Sequence, residues 1–250
     1  MKKIFIILLV LATAQACQTD KSMSVGPETG KGGSMARFAI TGNSLYVVDN
    51  ESLHLYDIST PGTPKKGSSK SLGIGIETIF PYQNNLFIGA QDGMYIFNNT
   101  DPSNPKLITK YQHVQSCDPV VVQGNYAYVT LRNGATCRNG AGTTSSLDVV
   151  DLSDLAHPKM LHTQNMLTPY GLGVSGKFLF VCEGTHGLKT FDIRNPNLPV
   201  LLSHNTGIHA YDVIVRNPGA LILIGEEGLY QFGFDENAGE LKLLSQIPVQ

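Results

Sequence analysis

The sequence predicts an all-β fold, a five-bladed β-propeller with four antiparallel strands per blade. Three observations predict it. A unit of about 41 residues recurs five times. Each copy holds short apolar runs bounded by Gly, Asn, Asp and Pro, the mark of strands joined by turns. No window keeps an apolar period of 3.6 residues beyond two turns, which excludes a helical reading.

The chain begins with Met1-Lys2-Lys3, then the apolar run Ile4 to Ala12, then Ala14-Gln15-Ala16 directly before Cys17. This is the layout of a secretory signal peptide over residues 1–16. The run is shorter than the about 20 residues that cross a bilayer. Cys17 occupies the first position after the cut and is a candidate for acylation, although Ala14 stands where a bacterial lipoprotein signal usually has Leu. Cleavage without a lipid is the alternative. Residues 17–34 are rich in Gly, Ser, Thr and Lys and read as a lipid-anchor cysteine followed by a flexible tether. The membrane then enters only through that anchor, and the expected location is the bacterial cell envelope, periplasm-facing or on the outer membrane.

Residues 35–250 carry the repeats. Copies of Leu53-His54-Leu55-Tyr56-Asp57-Ile58-Ser59-Thr60-Pro61 begin at Leu53, Met94, Leu147, Leu188 and Leu229, which are 41, 53, 41 and 41 residues apart. The one departure is a 12-residue insertion in the third copy, within residues 132–146. In the first copy Phe38-Ala39-Ile40 is the innermost strand, ended by the Gly42-Asn43 turn. Leu45 to Val48 is the second strand, Leu53 to Asp57 the third and Lys66 to Ser71 the fourth. The Asp-x-Ser-x-Pro turn has a local cause: Asp57 or Ser59 can accept from the backbone two residues on, and Pro61 stops the strand. Four strands per unit of this length fit a propeller blade. The second and third strands are apolar on both faces, so each blade needs a neighbour on either side. No strand is visibly shared between first and last copies. Closure therefore rests on side-chain packing or on a strand drawn from residues 18–34.

The phrases Leu53 to Ile58, Leu147 to Leu152 and Leu188 to Ile193 resemble the LVIVD repeat, as does Gly124 to Val129. Longer phrases at Gly30, Ile76 and Ser116 are similar to those of secreted or lipid-anchored bacterial members. The resemblance implies a β-propeller outside the cytoplasm. It supplies no catalytic residues, because the family has no settled activity. The fifth copy departs from the pattern with Gly233 where Asp is expected.

Composition narrows the partners. Net charge is −2 and charged residues are 15% of the chain, so no nucleic-acid partner is expected. Besides Cys17 the chain has Cys117, Cys137 and Cys182. An odd number allows one internal disulfide at most. A Cys117–Cys137 bridge would close a loop of about 20 residues, worth about 3 kcal/mol in the chain-entropy model. Cys182, at the end of a strand, reads as a small packed apolar residue.

A site, if there is one, belongs on the face where the inner strands begin. The insertion lies there, as either a surface loop or the wall of a cleft. Aligned strand starts give Ala36, Glu77, Asp118, Tyr170 and Asp212, with Arg37 and His209 nearby. Carboxylates crowded around one axis repel unless a cation or an arginine intervenes. Arg37, Glu77, Asp118, Tyr170 and Asp212 are thus candidate ligand residues, with a divalent cation as the one cofactor to consider. The competing reading has these acids merely capping strand ends. The histidines share no metal-ligand spacing, and Gly26 to Gly32 lacks the length and the Ser or Thr of a phosphate loop. No GxSxG or HExxH occurs. The expected function is a non-catalytic envelope binding or scaffold propeller for an envelope protein, a glycan or a small ligand. The alternative is a hydrolase or lyase using carboxylates at the channel mouth.

Overall fold

The computed structural model describes residues 32–112, 119–133, 144–216 and 219–249. They form five separate four-stranded antiparallel sheets, with no helix among the described residues. The first is β1 (Phe38–Thr41), β2 (Ser44–Val48), β3 (Ser52–Asp57) and β4 (Lys65–Ser71). The second is β5 (Ile76–Tyr82), β6 (Asn85–Ala90), β7 (Gly93–Asn98) and β8 (Lys106–Gln112). The third is β9 (Val120–Gln123), β10 (Tyr126–Leu131), β11 (Ser145–Asp151) and β12 (Lys159–Met166). The fourth is β13 (Leu172–Ser175), β14 (Phe178–Cys182), β15 (Leu188–Asp192) and β16 (Val200–Asn205). The fifth is β17 (Ala210–Arg216), β18 (Ala220–Gly225), β19 (Gly228–Phe234) and β20 (Leu241–Pro248). Within each sheet the strands pair in chain order, from the innermost outward. This is the five-bladed β-propeller that the repeats predict.

The repeat extends to fine detail. Each pairing of third and fourth strands carries one register shift, beside Tyr56, Phe97, Val150, Phe191 and Phe232, which are equivalent positions. Such bulges bend a strand and increase its twist. The turn after each third strand is held as its sequence dictates. A side-chain oxygen of Asp57, Asn98, Asp151 and Asp192 accepts from the backbone N–H two residues later, at 2.8–2.9 Å. In blade 5, where Gly233 replaces the aspartate, Asp235 takes over and accepts from Asn237 and Ala238 at 2.7 Å each.

The blades join through alternation. Successive side chains on a strand point to opposite faces, so the second strands of blades 2, 3 and 4 each feed two cores. Tyr46, Val48 and Leu53 of blade 1 meet Leu86, Ile88 and Phe97 of blade 2. Phe87 and Met94 meet Val120, Val129 and Val150. Tyr128 and Leu147 meet Leu179, Val181 and Phe191. Phe178, Phe180, Cys182 and Leu188 meet Val213, Leu221, Leu223 and Phe232.

Among the described residues no such cluster joins blade 5 to blade 1. The pair Cys182 and Leu188, cross-strand neighbours in blade 4, is fully buried against blade 5. The equivalent pair in blade 5, Ile224 and Leu229, is 47% and 37% exposed. Across the junction Phe38 of blade 1 is 60% exposed. Among the described residues the ring thus has four sealed junctions and one seam.

The chain spans the seam at one point. Residues 32–36 add no strand, and residues 18–31, from which a closing strand is also expected, lie outside the described residues. The Ser34 hydroxyl instead donates to Asp212 Oδ1 at 3.1 Å and accepts from the Leu172 amide at 2.7 Å, tying the entry to β1 onto blades 4 and 5. The Asp212 carboxylate lies between Gly33 and Gly171, and a Cβ at either would come within 2.0 Å of a carboxylate oxygen. Only glycine fits there.

Candidate ligand site at the channel mouth

The segments entering the inner strands and the loops between second and third strands share one end of the ring. A cavity of about 380 Å³ opens there. Arg37, Asn50, Glu77, Gln91, Arg132 and Tyr170, drawn from four blades, supply its polar and aromatic lining. Ligand pockets commonly start at about 300 Å³.

Local features aim Glu77 and Tyr170. Glu77 is the extra residue of a bulge in β5, because Ile76 pairs with Ala90 while Thr78 pairs with Gly89. Bulges often re-aim a side chain beside a site. The Gln91 amide reaches Glu77 Oε1 at 3.4 Å, a long and weak bond. Tyr170 is gripped through its backbone: its amide donates to Cys182 O at 2.7 Å and its carbonyl accepts from Thr130 Oγ1 at 2.6 Å. Gly184, at φ 56°, leaves the space for the Tyr170 ring, since a Cβ there would stand 2.7 Å from Cε2. The Arg132 guanidinium stacks 3.9 Å from the Tyr170 centroid, a cation–π contact. Tyr170 also meets Tyr211 in a T-shaped contact, centroids 5.3 Å apart.

Of the sequence-derived candidates, the structure gathers Arg37, Glu77 and Tyr170 at this cavity. It does not bring Asp212 to it. Backbone pairing sets Tyr211, not Asp212, at the position of Glu77 and Tyr170: Tyr211 is the bulged residue between Ala210 and Asp212 in β17. A one-residue slip sends a strand side chain to the opposite face, so Asp212 turns toward Ser34. Burial pushes its carboxyl up to about 6, against the lowering effect of bonds from Val213 and Ser34. The ring of acids becomes, among the described residues, one acid and two tyrosines. Asp118, Cys117, Cys137 and Cys17 lie outside the described residues, as do residues 134–143 of the insertion.

Arg132, Asn50 and Gln91 carry no site signal in the sequence. Tyr211 was legible, standing 41 residues after Tyr170. Arg132 borders the insertion, where the repeat offers no register. Three of the six described histidines pair with a nearby acid, His54 with Asp49, His157 with Asp154 and His209 with Glu226. Among the described residues no group of three His, Cys, Asp or Glu side chains is placed to hold a metal ion. Cys182 is a buried free thiol, its pKa raised by burial.

A second cavity of about 390 Å³ occupies the channel toward the opposite face. The inner strands line it, with Phe38, Phe80, Val174 and Ile214 among them and no charged residue. No helix of the described residues is long and apolar enough to cross a membrane.

The LVIVD repeat profile matches residues 32–69, 116–136, 141–165 and 171–206. Solved structures share the fold. A protein from Lactobacillus plantarum superposes with a TM-score of 0.69 at 13% identity, covering 82% of this chain and 69% of its own. A functionally unknown protein from Desulfotomaculum acetoxidans gives 0.69 at 13% identity, covering 88% and 71%. The periplasmic gluconolactonase PpgL of Pseudomonas aeruginosa gives 0.64 at 15% identity, covering 83% and 68%. No curated protein matches.

Proposed function

The chain belongs to the LVIVD repeat family, and from that premise we propose that it is an exported binding propeller of the cell envelope, lipid-anchored at Cys17, that takes a small polar ligand at the channel mouth without transforming it. The observation that carries the reading is the mouth cavity, where Arg37, Glu77, Asn50 and Gln91 supply donors and acceptors beside the stacked Arg132 and Tyr170. Such a mixture suits a sugar or sugar acid, whose hydroxyls find the amide and carboxylate groups while a carboxylate meets the guanidinium groups. It suits a bare cation less well, because two guanidinium groups share the cavity with one described carboxylate.

The test is a thermal-shift screen of the full chain against sugars, sugar acids and divalent cations. Binding adds RT ln(1 + [L]/Kd) to stability, so a weak ligand registers at high concentration. A sugar or sugar acid should raise Tm, and Arg37→Ala and Tyr170→Ala should each abolish the rise. A shift only with cations, or one untouched by both substitutions, would refute the reading. Fatty-acid labelling that stops in Cys17→Ser checks the anchor.

A second reading is favoured by one observation, the fold shared with the P. aeruginosa gluconolactonase. On that reading Glu77 is an acid or base for lactone hydrolysis. Turnover of gluconolactone that falls by about 100-fold or more in Glu77→Gln, as loss of a general acid–base group does, would replace binding by catalysis.

A further inference from the structure

We propose that blade 5 is a self-association surface, on which a second copy of this chain docks with β20 pairing antiparallel to its mate about a two-fold axis. β20 is the outermost strand of its sheet, so one side of its backbone has no strand partner among the described residues. An exposed edge of this kind is a template for pairing, and proteins guard against it with lysine, proline or short length. This molecule guards its other end. β4 carries Lys65, Lys66 and Lys70, and β8 carries Lys106 and Lys110. β20 runs for eight residues as LKLLSQIP, with Lys242 and Pro248 near its two ends and Leu243 to Ile247 uncharged between them.

The occupant follows from charge and from the seam. A two-fold axis through the middle of β20 sets Lys242 of one copy far from Lys242 of the other, so no like charges meet. The same operation on β4 would crowd lysines. β16 also lacks charge, but blade 4 is packed on both faces, whereas blade 5 has an open one. Leu244 lies over Gly233, and Ile247 pairs with Leu229, which puts both on that open face. They are 53% and 65% exposed. Pairing the two edges makes one eight-stranded sheet and brings Leu244 and Ile247 of both copies onto one side of it. A two-fold contact closes at the dimer and does not propagate into fibres.

The experiment is the molar mass of the full chain by light scattering across a concentration series, with hydrogen exchange at the same concentrations. A dimer is expected, with β20 amides gaining protection as concentration rises and β4 amides unchanged. Leu244→Lys with Ile247→Lys should weaken association at least tenfold while leaving the circular dichroism spectrum intact. A wild-type protein that stays monomeric overturns the proposal, as does a dimer that survives the double substitution. Protection of β20 in a monomer would assign the face to residues 1–31 of the same chain and would equally overturn it. If the double variant does not fold, the exchange of the wild-type protein alone decides.

Discussion

Asp212 shows how much one residue does in this fold. Its carboxylate receives the Ser34 hydroxyl and the Val213 amide, and so holds the entry of β1 against blade 5. Burial lifts its pKa from the ordinary value of 3.8 to about 6. A carboxyl that binds its proton more tightly when folded stabilises the folded state at low pH. That contribution is complete below the unfolded pKa and is lost as pH rises through about 6. Two units correspond to about 3 kcal/mol. Asp212→Asn, which keeps an acceptor for Ser34, should flatten the pH dependence of stability between about pH 4 and pH 8. Denaturant midpoints at both ends check this, and a wild-type midpoint that rises with pH over that range would contradict it. Repeat spacing alone reveals that some residue at the start of β17 faces the mouth. Which one depends on a bulge, set by hydrogen bonds that no single-sequence pattern displays, and so the aligned strand starts point to Asp212 where the structure sets Tyr211.

At the scale of the element, the strands and their turns were legible because local chemistry determines them. Alternating apolar residues, an Asx acceptor and a proline recur in blade after blade, and the strand ends fall where Gly42, Gly124 and Gly176 adopt positive φ. Pairings made across elements were not legible. Glu183 is fully buried at the end of blade 4's second strand, with Lys189 Nζ 2.6 Å from Oε2 and the Leu167 amide 2.8 Å from Oε1. Lys189→Met leaves that carboxylate buried and unpaired, and should destabilise the protein by about 3–5 kcal/mol. Adding Glu183→Gln should restore part of the loss. A double-mutant cycle measures it, and additive effects would mean that the two side chains do not interact. The Cys182 thiol, buried beside the same strand end, should resist alkylation in the native protein and react once unfolded.

The whole molecule is an arc of equal units with one junction unlike the rest. Two consequences of that geometry carry the proposals: the inner strands begin around the mouth, and among the described residues the last blade presents a face without a blade against it. The sequence carries the repetition openly, but it cannot tell a sealed ring from a seamed one. Leu188 and Leu229 are the same residue at the same place in consecutive repeats. Their difference in burial arises from what stands beside each blade, not from the blade itself. Substituting each with alanine and measuring unfolding in dilute solution, where the chain is monomeric, isolates that difference. Leu188→Ala should cost about 2–5 kcal/mol, as truncation of a fully packed leucine does, and Leu229→Ala less than about 1 kcal/mol. Equal, large losses at both positions would show that blade 5 is packed on both faces, and the seam and all that is built on it would fall.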